Sequence, residues 1–153
     1  MNIRNEIDSY YKQSIKDKKS DTTSTLRLVK SAIKDKDIAA RGNGNNEGIS
    51  DSEILGLLQT LIKQRRDSIE SFKSANRNDL IDKEEAEIKI INVFLPDQKN
   101  EEQTTEIIQE LINSNNLTSI KDMGKLMGII KDKYAGQVDM GMVGKIAKSK
   151  LGN

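Results

Sequence analysis

Lys121, Gly124, Lys125, Gly128 and Lys131 follow one another at spacings of 3, 1, 3 and 3 residues, which puts them on one side of a helix. Gly141, Gly144, Lys145 and Lys148 repeat the arrangement at i, i+3, i+4 and i+7. Ile120, Met123, Met127, Ile130 and Tyr134 beside the first set, and Met140, Val143, Ile146, Ala147 and Leu151 beside the second, supply apolar stripes for a core. A glycine inside a helix costs about 1 kcal/mol relative to alanine, so several on two short helices call for a compensating role. Bare backbone flanked by ammonium groups suits the close approach of a sugar-phosphate chain, with no Cβ in the way. A polyanion is the partner this chemistry selects. The competing use of the glycines is a close-packed seam between helices, with the lysines merely solvated.

Other chemistry is largely excluded by composition. The 153 residues contain no histidine, cysteine or tryptophan, which removes disulfides, thiolate and imidazole metal ligands, and the Ser-His-Asp and Cys-His nucleophile systems. No glycine-rich phosphate loop ending in Lys-Ser/Thr is present. The expectation is a chain without metal, cofactor or catalytic residues. The aromatic residues are Tyr10, Tyr11, Phe72, Phe94 and Tyr134, too few for the stacking platforms that single-strand readers use. No apolar run reaches signal-peptide or membrane-spanning length, so the expected location is cytoplasmic, away from any membrane. The net charge of +1 hides a segregation: residues 94–116 carry five acidic side chains against Lys99, whereas residues 117–153 carry seven lysines against three aspartates. Opposite potentials at the two ends of the C-terminal region follow from that distribution.

The elements needed to hold these groups are all helical. Ile3, Ile7, Tyr10, Tyr11 and Ile15 predict a first helix over 2–18. Asp21 or Thr22 is placed to cap a second, with Leu26, Val29, Ala32, Ile33 and Ala40 inward, ending before a mobile loop over 42–48. Ser50-Asp51-Ser52-Glu53 has the capping-box pattern and opens a third helix, whose stripe is Ile54, Leu58, Leu61, Ile62, Ile69 and Phe72. A fourth starts near Asp79 and runs through Ile88 and Ile91 to Leu95, stopped by Pro96, the only proline. Beyond it, Asn100-Glu101-Glu102-Gln103 repeats the capping-box pattern, Ser119 and Asp122 cap the next helix, and Asp139 starts the last. The expected architecture is an all-α, four-helix domain over 1–95 followed by a compact three-helix domain over 96–153.

Two further charged groups stand out. Arg65 lies four residues after Leu61 and four before Ile69, on the apolar stripe of the third helix, and Glu84 holds the equivalent place between Leu80 and Ile88. A charge on a buried face must find a partner, so Arg65 is expected to form a structural ion pair with Glu84, or with Glu87 one turn later. Lys63 and Arg66 face outward and could touch phosphates, as could Arg27, Lys30, Lys34 and Arg41, an all-cationic stripe on the second helix with Asp35 and Asp37 off its centre.

Lys63-Gln64-Arg65-Arg66-Asp67-Ser68, Lys83-Glu84-Glu85-Ala86-Glu87-Ile88, Phe94-Leu95-Pro96, Lys121-Asp122-Met123-Gly124-Lys125-Leu126-Met127-Gly128 and Gly136-Gln137-Val138-Asp139-Met140, in that order, resemble the YqeY-like family over nearly the whole chain. That family is similar, in its C-terminal helices, to the tail domain of the B subunit of the tRNA-dependent amidotransferase, in which the tail contacts tRNA and the chemistry belongs to a separate cradle domain and another subunit. The resemblance implies that Gly124, Lys125, Gly128, Lys131, Lys133 and Lys145 lie in a tRNA-facing part. It implies tRNA or another structured RNA as partner, with amidotransferase subunits or aminoacyl-tRNA machinery as alternatives. It also brings the label of a carbon-nitrogen ligase with glutamine as amido donor, although no counterpart of the catalytic cradle is present. A non-catalytic RNA-binding protein is the expected function, an accessory subunit or adaptor the alternative.

Overall fold

The computed structural model describes residues 2–152, all-helical apart from turns and loops. The chain divides into two compact units, Met1–Leu95 and Pro96–Asn153. The first contains α1 (Ile3–Lys16), α2 (Ser20–Gly42), α3 (Asp51–Ser74) and α4 (Asn78–Asn92). The second contains α5 (Glu101–Ser114), a 3-10 turn (Ile120–Asp122), α6 (Met123–Lys133) and α7 (Met140–Leu151).

Local signals explain most of the boundaries. Asn2 caps α1 by accepting from the Asn5 N–H at 2.8 Å. Reciprocal capping boxes start α3 at Ser50 and Glu53 and α5 at Asn100 and Gln103, satisfying backbone N–H groups that the helix leaves open. Lys18, Asn76 and Asn116 take positive φ just past α1, α3 and α5. The next N–H of each turns back to the helix: Lys19 to the Ser14 carbonyl, Arg77 to Phe72 and Leu117 to Ile112. α2 departs from expectation. It begins at Ser20 with Lys19 in the cap position and no side-chain cap, because the turn after α1 leaves only three residues, 17–19, between the helices. α4 ends at Asn92, and Val93 and Phe94 form a turn that leads to Pro96.

Each unit has its own core. In the first, Ile7, Leu26, Val29, Ile33, Ile54, Leu58, Ile62, Ile91 and Phe94 cluster where α3 packs on α4 and α2, and α1 on α2. In the second, Ile108, Leu111, Leu117, Leu126, Ile130, Val138, Val143, Ala147 and Leu151 fill the space among α5, α6 and α7. At about 25 cal/mol per Å² of apolar surface, full burial of each large aliphatic chain contributes about 2 kcal/mol to holding these helices in place. Among the described residues, no helix is long and apolar enough to cross a membrane.

Candidate nucleic-acid interface

α6 turns Leu126 and Ile130, both fully buried, into the second core. At about 100° per residue, the direction opposite them falls on Gly128, with Gly124 and Lys131 to one side and Asp132 and Lys125 to the other. Gly124 and Gly128 are exposed, and a Cβ at either would meet no atom within 4 Å. A packing seam does not account for them. Asp132, also exposed, lies on the same face and dilutes its charge. Lys133, exposed at the last position of α6, falls on the wheel toward Leu126 and Ile130, so it does not share the face of Gly124 and Gly128.

On α7, Val143, Ala147 and Leu151 are buried, and Lys145 and Lys148 project outward. The two glycines of this helix differ from those of α6. Gly141 has a local reason to be small: Asp139 caps the helix by accepting from the Gly141 N–H at 2.8 Å and the Met142 N–H at 3.3 Å. A Cβ on Gly141 would come within 3.2 Å of that carboxylate oxygen. Gly144 is half-buried at the edge of the face, yet a Cβ there would still meet nothing within 4 Å.

Lys121 sits in the 3-10 turn, where the Asp122 carboxylate accepts from the Thr118 and Ser119 N–H groups at 2.8 and 3.2 Å. These bonds hold the Asp122 carboxyl below its ordinary value, with the charge of Lys125 adding to the effect. Lys121, Lys125, Lys131, Lys133, Lys145 and Lys148 are all exposed, and none joins an ion pair among the described residues. Ile120 and Met140, expected in the core, are exposed at 47% and 36%. Ile120 lies in the 3-10 turn ahead of α6 rather than in the helix whose stripe it was expected to start.

The second-helix stripe is less cationic than its spacing suggests. Arg27, Lys34 and Arg41 are exposed. Lys30, however, is paired with Asp8 of α1 at 2.6 Å and lies 4.5 Å from the centre of the Tyr11 ring, so its head group is engaged within the unit. Arg27 donates to the Tyr11 hydroxyl at 3.4 Å. Lys63 and Arg66 on α3 are exposed. Between α3 and α4, Arg65 Nε donates to Glu87 Oε2 at 2.8 Å and Nη1 to the Leu61 carbonyl at 3.0 Å. Both partners of the ion pair are mostly shielded, with side chains 13% and 17% exposed. Glu84, half-buried, is not the partner; α4 presents Glu87 to the guanidinium one turn further on.

One polar constellation has no counterpart in the sequence reading. Asp37 of α2 accepts from Arg4 Nη1 and Nη2 at 2.8 and 3.1 Å and from the Ile49 N–H at 2.8 Å, while Arg4 Nη2 also donates to the Ile49 carbonyl at 3.2 Å. The Arg4 hydrogen bonds, with the Ile49 N–H contributing, hold the Asp37 carboxyl below its usual range. Gly48, at φ +93°, passes so close that a Cβ would stand 2.8 Å from Asp37 Oδ1. Within the same loop the Asn45 side chain bonds to Gly48 and Glu47. The loop expected to be mobile is therefore tied at its far end to α1 and α2. Residues 33 and 45 positions apart make this clasp, which no local pattern signals.

Among the described residues there is no group of three or more acidic side chains that could hold a metal ion. Comparison with known protein families finds one match over nearly the whole chain: the profile of the Yqey-like proteins covers residues 4–151. The chain belongs to the YqeY-like family. Among curated relatives, altered inheritance of mitochondria protein 41 of Lachancea thermotolerans is 35% identical over 107 residues, covering 66% of this chain and 55% of that protein. An uncharacterized protein of Schizosaccharomyces pombe is 34% identical over 85 residues, 55% of this chain and 64% of that one. The Saccharomyces cerevisiae altered inheritance of mitochondria protein 41 is 37% identical over 70 residues, 46% of this chain and 36% of the relative. This chain thus spans about half the length of the curated relatives it matches. The expectation of a cytoplasmic location is corrected here, because the protein 41 relatives are named as mitochondrial proteins. Their names mention neither tRNA nor amidation.

Proposed function

We propose that this YqeY-like protein is a non-catalytic binder of structured RNA, tRNA being the leading candidate, and that the helices of residues 96–153 form the domain that grips the phosphate backbone. Residues 1–95 form a separate four-helix domain in this reading. One observation carries it: Gly124 and Gly128 are exposed on a helix face where a side chain would meet nothing, so their cost to helix stability has no packing return. Lys125, Lys131, Lys145 and Lys148, exposed and outside any described ion pair, supply the charge beside that bare backbone. Backbone recognition by shape and charge needs few aromatic residues, in keeping with Tyr134 as the sole aromatic residue of this region.

Binding of a tRNA to the full chain, followed by fluorescence anisotropy across a salt series, tests the proposal. About four lysine-phosphate contacts give a slope of log affinity against log salt of roughly −3, each contact adding about 0.7 to 0.9. Lys125→Glu combined with Lys145→Glu should weaken binding and flatten that slope. Unchanged binding by the double variant counts against this surface. A salt-tolerant complex with a protein partner, lost on Gly128→Leu and kept without the lysines, identifies an adaptor instead. Glutamine-dependent amidation that requires this chain identifies an accessory subunit of an amidotransferase.

A further inference from the structure

The convex faces of α6 and α7 are not the whole of this surface. Where the 3-10 turn meets the last turns of α7, Ile120, Lys145, Lys148, Ser149 and Gly152 line a wide-mouthed hollow of about 560 Å³. Its chemistry is mixed. Ile120 presents an aliphatic side chain that is 47% exposed, and two exposed lysines of α7, Lys145 and Lys148, line the same hollow. Nothing among the described residues neutralises Lys145 or Lys148.

A double-stranded backbone offers such a hollow phosphates but little apolar surface, because its bases are paired and stacked inside the helix. An unpaired nucleotide offers both: a base or ribose face for Ile120 and a phosphate for the two lysines. Resting on the RNA-binding reading above, we propose that this hollow receives one unpaired nucleotide next to a structured region, so that the protein prefers folded RNA with a single-stranded extension to blunt duplex. Ile120 is the specificity-determining residue. Lys145 and Lys148 hold the phosphate, and their charge serves any RNA that reaches the surface.

The test compares a blunt RNA duplex with the same duplex carrying a short single-stranded overhang, using the full chain and Ile120→Ser. The overhang is expected to tighten binding by about fivefold, in line with covering a half-exposed aliphatic side chain. Ile120→Ser should abolish that preference and leave affinity for blunt duplex unchanged, and Ile120→Leu should restore it. Equal affinity of the unmodified chain for both RNAs, or a preference that survives Ile120→Ser, overturns the inference while leaving RNA binding intact. Failure to bind either RNA overturns the RNA-binding reading and this inference with it. A measurement that needs no variant is titration of the full chain with adenosine monophosphate. It should shift the Ile120 methyl resonances together with the Lys145 and Lys148 amides, and shifts confined to other residues count against the hollow.

Discussion

Arg65 shows how far a single side chain can be read from sequence: an ion pair with Glu84 or Glu87 is expected, and the structure selects Glu87. Its place on an apolar stripe requires a counter-charge, and that much follows from spacing alone. Which of the two glutamates answers depends on how α3 and α4 pack, and the guanidinium meets Glu87. Glu87→Gln is expected to destabilise the protein by about 2 kcal/mol, since it leaves a shielded guanidinium without its anion. Glu84→Gln should stay within about 0.5 kcal/mol, and urea denaturation of the two variants measures the difference. Asp37 carries a second residue-scale consequence. Its folded-state carboxyl lies below the unfolded value of about 4, so the unfolded chain binds the proton first as acid is added. The stabilisation is complete above that unfolded value and is lost as pH falls through the folded one. Asp37→Asn should lower stability at neutral pH and remove part of the acid dependence. Asp79 and Asp122, whose carboxyls are also held low, keep the remainder. Thermal melts from neutral to strongly acidic pH check both.

At the scale of elements, capping chemistry was the most legible signal. Ser50 with Glu53 and Asn100 with Gln103 announce helix starts because the pattern and the hydrogen bonds are both local. Signals that depend on a neighbouring helix were less legible. The all-cationic stripe of α2 loses Lys30 to Asp8, a carboxylate on another element. The expected apolar stripe of α6 loses Ile120, which lies in a separate 3-10 turn and is about half exposed, and a three-residue turn leaves no trace in composition. The glycines of α6 yield a prediction that separates stability from function. Gly124→Ala and Gly128→Ala should each raise stability, by about 0.5 to 1 kcal/mol for the mid-helix position and less near the helix start, since neither meets a neighbour. If the face binds RNA, the same variants should bind it more weakly, a trade seen where stability is given up for a site. Differential scanning calorimetry and RNA anisotropy on the same samples decide it.

For the molecule as a whole, two separate clusters of buried residues take the place of a single core. Pro96, which was expected to stop α4, stands at the start of the second unit, beyond the turn that follows the end of α4 at Asn92. The sequence carried the helical class and the family. Location was beyond its reach, since nothing in a fold's physics encodes a compartment. Because residues 96–153 hold their own buried cluster, a fragment of that span is expected to fold alone, with a cooperative loss of helical circular dichroism on heating. A non-cooperative melt would show that it needs the rest of the chain. Within that unit α6 is the least secured helix: eleven residues, two of them glycine, with Leu126 and Ile130 its only fully sequestered side chains. Short helices borrow most of their persistence from packing. Its amide protons should therefore exchange with deuterated solvent sooner than those of α5 and α7, opening locally while the remainder stays closed. A ligand lying along it would slow that exchange, making deuterium uptake in α6 an occupancy gauge for a surface that has no tryptophan to report on it.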